Sequence, residues 1–139
     1  MTLWYWQQTG GTLIEEFPVI GRGTAQGLRL LDGLIVLDGE TFRMPPRTLI
    51  PLRDRKVVVV QAKNNRLGMS LAGQTLFSLE LVRKYFDAAN VTSIALCSRS
   101  DAVLQPILEA HAGCRVVVCP DEVCRAARLP GMRRKEAST

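Results

Sequence analysis

The chain lacks most of the features that would assign it quickly. No apolar run approaches the ~18 residues of a membrane span. The first residues, MTLWYWQQTGG, have neither the charged start nor the long apolar core of a secretory signal. The expected compartment is therefore the cytosol, with no membrane partner. Histidine occurs once, as His111, and the four cysteines, Cys97, Cys114, Cys119 and Cys124, include no CxxC pair. That pattern argues against a zinc centre. Cys114 and Cys119 flank RVVV and Cys97 ends SIALC, so they read as small core residues that a reducing compartment keeps as thiols. Strong charge imbalance is also missing. The 18 Lys and Arg against 13 Asp and Glu leave +5, which permits a polyanion such as nucleic acid as a partner without demanding one. There is no internal repeat, and no low-complexity segment apart from the C-terminal RLPGMRRKEAST.

What is present is an ordinary core-forming composition. Hydrophobic residues make up 47% of the 139 and charged residues 22%, which suits one domain with a real core. Residues 1–128 read as that domain. Residues 129–139 read as a basic tail in which Arg133, Arg134 and Lys135 cluster at a frayed, solvated end.

Punctuation by glycine and proline divides the domain into elements. Thr2–Thr9 is aromatic and reads as a short helix or turn stopped by Gly10-Gly11. Trp4, Tyr5 and Trp6 cover the core or a subunit contact in one reading and stack on bases in another. Thr12–Ile20 reads as a strand, the glycine-rich Gly21–Gly27 as a connection, and Leu28–Asp38 as a second strand. GETFRMPPRTLIPLRDR is a long loop or irregular extension, and its Pro45-Pro46 and Pro51 exclude a central strand. Lys56–Lys63 is the third strand. Leu67, Leu71, Leu76, Leu79 and Val82 follow at roughly helical spacing, with Arg83 and Lys84 in the last turn. SIALCSRS is a fourth strand. Ser100 or Asp101 can cap the helix DAVLQPILEAHAG, in which Pro106 suits a first-turn or kinked position and Gly113 is the stop. CRVVVCP and DEVCRAARL supply a last strand and helix. Strands that first run consecutively and then alternate with helices predict an α/β domain: a mixed sheet, antiparallel first and parallel later, flanked by helices.

Three residues stand out against this frame. Asp32 interrupts RLLDGLIVL, an otherwise apolar strand, and a carboxylate there must be paired, hydrated or bound to metal. The strand VVVVQAK ends in Gln61 and Lys63, which share a face because the side-chain period is two. An acid, an amide oxygen and an ammonium at the mouth of a sheet suit a hard dication and a phosphate. Hairpin geometry adds a fourth residue. If Ile20 lies opposite Leu28, partner numbers sum to 48 and Glu16 faces Asp32. A slip of one residue would favour Glu15. Two acids side by side repel unless a cation lies between them.

This combination resembles the PD-(D/E)xK nuclease superfamily. VVVVQAKNNRLGMSLAGQ is most similar to its Mrr-type and related branches, where glutamine replaces the usual acid, and the resemblance spans roughly Thr12 to Ser98. It implies a restriction-endonuclease-like αβββαβ core, with a further strand and helix here. It also implies hydrolysis of phosphodiester bonds in DNA with Mg2+ or Mn2+. Asp32 takes the place of the metal-binding acid, Gln61 the second motif position and Lys63 the catalytic lysine, while the Ala62 carbonyl could supply another metal ligand. Gln74 in LAGQ resembles the helix glutamine of that superfamily, and Arg66 could contact phosphate. The family's N-terminal glutamate has no counterpart in LWYWQQ; Glu15 and Glu16 are the nearest substitutes.

Blander readings exist for each residue. Asp32 before Gly33 suits a bulge, Gln61 and Lys63 a strand end meeting solvent, and Arg66 and Gln74 an ordinary surface. A catalytically inactive nuclease fold serving as a nucleic-acid-binding or assembly subunit is the alternative function. A Rossmann-like small-molecule binder is a third, although GRGTAQG runs into a strand rather than a helix and fails the dinucleotide context. Without a helix-turn-helix or zinc finger, target choice would fall to loops, a homodimer or a partner protein.

Overall fold

Residues 1–128 are described by a computed structural model; the basic tail 129–139, with Arg133, Arg134 and Lys135, lies outside the described residues. The elements run α1 (Thr2–Thr9), β1 (Thr12–Ile20), β2 (Arg29–Val36), β3 (Phe42–Arg43), β4 (Lys56–Arg66), α2 (Met69–Tyr85), β5 (Asn90–Arg99), α3 (Leu104–Glu109), β6 (Cys114–Val118) and α4 (Asp121–Ala127). Six strands form one sheet in the order β3-β1-β2-β4-β5-β6. The pairs β1–β2 and β2–β4 are antiparallel, whereas β4–β5 and β5–β6 are parallel. The fold is thus α/β, with a mixed sheet flanked by helices, as expected from the order of the elements.

Two cores lie on the two faces of the sheet. Ile14, Leu34, Val57, Val59 and Ala95 face α2, which contributes Leu71, Leu79 and Val82. Leu13, Ile35, Val58, Val60 and Ile94 face the other way, under Leu3, Trp4, Tyr5 and Trp6 of α1 and Cys124 of α4. The four valines of β4 are therefore buried on both faces, which is why that segment shows no alternation. The aromatic N-terminus covers core: its rings are partly buried there, and the Trp6 indole donates to the Gly11 carbonyl at 2.7 Å. All four cysteines are free and buried, as small core residues.

Several boundaries differ from the sequence expectation. β4 continues three residues past Lys63, because Arg66 still pairs with Arg99 of β5 after a local shift in register. β2 stops at Val36, and Asp38 instead pairs with Arg55 at 3.2 Å. The proline-rich segment carries β3, two residues on the sheet edge beside β1, which proline tolerates. α3 is shorter than expected and ends at Glu109; Gly113, at φ 96°, begins the turn into β6. Asp101 does cap it, its Oδ1 accepting from the N–H groups of Val103 and Leu104 at 2.9 Å each, and Pro106 sits in its first turn. No helix among the described residues is long and apolar enough to cross a membrane.

Candidate functional site

The site begins with an irregularity in the β1–β2 hairpin. Partner numbers sum to 48 from Thr12↔Val36 to Pro18↔Leu30, and only the far end shifts, where Ile20 meets Arg29. At one level the alternation breaks in both strands. Ile14 and Leu34 face α2, but so do Phe17 and Leu31, three residues away instead of two or four. Glu16, with φ 52°, takes a left-handed backbone conformation at that level of β1. Glu16 and Asp32 occupy that level, and they are not paired through the ladder.

On its other side, β2 leaves β4. Their ladder runs only from Val36↔Val57 to Gly33↔Val60, although both strands continue. The Asp32 side chain takes over where the backbone pairing stops: its Oδ2 accepts from the Ala62 N–H at 2.8 Å. Because N–H and C=O of one strand residue point to the same edge, Ala62 also turns its carbonyl toward the gap. Asp32 is exposed as a residue, yet the protein around its carboxyl strips hydration and raises its pKa above the ordinary carboxylate range. The bond from Ala62 opposes that rise, and the nearby Glu16 charge adds to it.

The gap opens into a cleft of about 430 Å³ whose lining includes Asp32, Gln61, Gln74, Ser78, Phe77 and Arg29. Gln61 is buried, and its Nε2 donates to Ser78 Oγ at 2.7 Å, which ties β4 to α2 and fixes the amide. Gln74 and Ser78 are four residues apart on α2 and so share a helix face. Lys63 lies two positions beyond Gln61, exposed, outside the cleft lining and without an ion-pair partner among the described residues. The structure thus brings Asp32, Gln61, Ala62 and Gln74 together, and leaves Lys63 at the margin. Arg66 is elsewhere, in a second cleft with Arg99 and Arg125.

The two glutamates are held by arginines of the proline-rich segment. Glu15 is buried and takes Arg43 Nε at 2.7 Å, while Glu16 takes Arg47 through Nε at 3.0 Å and a second nitrogen at 2.8 Å. Neither was readable in advance, since Arg43 and Arg47 reach β1 only because their backbone folds back along it, Met44 N–H to Leu13 and Arg47 N–H to Glu15. Ser78 and Arg29 were also missed. The i, i+4 spacing from Gln74 is the one signal that pointed to Ser78.

The oxygens near the gap are the Asp32 carboxylate, the Gln61 amide and the Ala62 carbonyl, with Glu16 close by. Among the described residues, no three His, Cys, Asp or Glu side chains stand together where they could hold a metal ion. An all-oxygen set with one free carboxylate still fits Mg2+, which binds through one or two carboxylates, keeps waters and completes its shell with substrate phosphate. Family models, curated proteins and solved structures were each compared with this chain, and none matches it.

Proposed function

We propose that this chain is a metal-dependent nuclease of the restriction-endonuclease-like kind, acting on phosphodiester bonds in DNA. The observation that carries the reading is the convergence of Asp32, Gln61 and the Ala62 backbone where β2 and β4 part. Asp32, Gln61 and the Ala62 carbonyl would hold the cation, which when bound offsets charge on the phosphate and makes its water a better nucleophile. The Ala62 N–H engages one carboxylate oxygen, Oδ2, and the other would be the one to meet the cation. Ser78 holds Gln61 so that its carbonyl oxygen stays available. Lys63, unpaired at the margin, would meet phosphate oxygens, where a fixed positive charge counts most as negative charge develops. Four unpaired thiols fit a reducing compartment, and so the cytosol.

One observation favours the inactive nucleic-acid-binding reading instead. Gln61 is neutral and Glu16 is neutralised by Arg47, so the site has a single free carboxylate to attract a dication. Incubating the purified chain and its Lys63→Ala variant with DNA, with Mg2+ or Mn2+ and again with chelator, separates the two. Metal-dependent cutting by the wild type alone supports the nuclease. Salt-sensitive binding by both proteins without cutting supports the inactive form, and cutting by both at one rate marks a contaminant.

A further inference from the structure

A second cleft, of about 450 Å³, lies at the carboxyl ends of β4 and β5, against α4. Arg66 and Arg99, the last register pair of the two strands, line it together with Arg125 and Arg128. Ser98 and Asn65 add a hydroxyl and an amide. Arg66, Arg99 and Arg125 are exposed, and none of the three forms an ion pair with a described residue. The acids nearby do not match them. Asp121 lines the same cleft, and Asp101 is close enough to Arg66 to feel its charge, but its Oδ1 is engaged by two backbone N–H groups of α3.

Unpaired guanidinium groups converging on a concave, polar surface are the ordinary means of holding phosphate, since each presents a planar fork of donors. The position strengthens the case. Ligands of open α/β sheets bind outside the carboxyl ends of parallel strands, where backbone and loops leave a crevice.

We infer that the Arg66–Arg99–Arg125 cleft is a phosphate-backbone subsite for DNA, separate from the Asp32 cleft and walled by α4 where that cleft is walled by α2. The partner class rests on the nuclease-fold reading, whereas the grip does not require that the Asp32 cleft be catalytic. Each arginine neutralises one phosphate and releases its counterion. Binding should therefore weaken with salt along a slope to which this cleft contributes nearly three.

The test is fluorescence anisotropy of a labelled duplex with the full chain, in chelator so that no cutting occurs, across 50–300 mM salt. The triple variant Arg66→Ala/Arg99→Ala/Arg125→Ala should lose nearly three from the slope of log affinity against log salt, and bind roughly 10²-fold more weakly near 0.1 M. The control removes Arg53, Lys56 and Lys84, equal charge at the opposite end of the sheet, and should move the slope by less than one. Three results overturn the inference: an unchanged slope in the cleft variant, an equal loss in the control, or no duplex binding by the wild type. If the triple variant fails to fold by circular dichroism, Arg99→Gln and Arg125→Gln alone should each lower the slope by about one, and unchanged slopes overturn it. A wild type that binds in this arginine-dependent way but never cuts with Mg2+ sinks the catalytic reading and upholds this one. A wild type that cuts while the triple variant binds unchanged does the reverse.

Discussion

The antiparallel and parallel halves of the sheet treat charge in opposite ways. In the antiparallel half, acids pair with arginines of the same chain: Glu15, buried, with Arg43, and Glu16 with Arg47 and Asp38 with Arg55 at the surface. In the parallel half, Arg66, Arg99 and Arg125 line a cleft and pair with none of the described acids. Asp32 sits at the junction, the one acid of β2 whose carboxylate answers to a backbone N–H and not to a cation. Charges satisfied within the fold hold loops in place, while charges left open face whatever binds. On the proposed reading, the difference separates residues that hold the fold from those that meet a partner.

The largest expected effect tests the junction. Lys63→Ala should lower metal-dependent cleavage by roughly 10²-fold or more, with an unchanged circular dichroism spectrum, because its proposed charge acts in the transition state and it makes no contact that holds the fold. A smaller loss would place the lysine outside the reacting centre.

Next comes the antiparallel half. Arg43→Ala leaves the Glu15 carboxylate buried without its partner and should destabilise the protein by about 1–3 kcal/mol in urea unfolding. An unchanged midpoint would mean that water replaces the guanidinium and that this half is no more tightly matched than the other.

Asp32→Asn should move activity and stability in opposite directions. Its folded-state pKa is raised, chiefly by lost hydration, so the fold binds the proton more readily than the unfolded chain does. Stability from this group is then present below the ordinary carboxylate range and falls as pH rises through the raised value. The amide, which still accepts from Ala62, should be more stable than the wild type at neutral pH by less than about 1 kcal/mol, given the exposure of the site. That difference should close below the ordinary carboxylate pKa, as thermal melts across pH would report, while cleavage is lost. The reverse sign would show that the hydrogen bond outweighs the desolvation.

The smallest effect completes the contrast. Arg99→Ala should change unfolding free energy by no more than about 0.5 kcal/mol, as for an exposed side chain without a partner. A larger loss would make this arginine structural and weaken the distinction between the halves.

Much of the fold was legible because its signals are local. Gly10-Gly11 and the glycine-rich turn bound α1 and β1 where the structure has them, and partner numbers sum to 48 along most of the hairpin, although Ile20 pairs with Arg29 and not with Leu28. The polar run Asn64-Asn65-Arg66 concealed the end of β4, since its pairing depends on β5, some thirty residues further on. β3 was hidden in the same way, being a strand only because it lies against β1.

For the site, the sequence by itself determined which groups share a strand face. Period two put Gln61 and Lys63 on one face, of which Gln61 alone lines the cleft, and the summed register put Glu16 and Asp32 at one level, where the ladder leaves them unpaired. Tertiary structure alone decided their surroundings. It gave Glu16 a left-handed backbone and an Arg47 partner, turned Asp32 to the Ala62 N–H, tied Gln61 to Ser78 and gathered three arginines from β4, β5 and α4 into one cleft. The reason is range. Periodicity and turn chemistry act over a few residues, whereas the partner of a charge is set by whichever distant segment the packing of the sheet brings beside it.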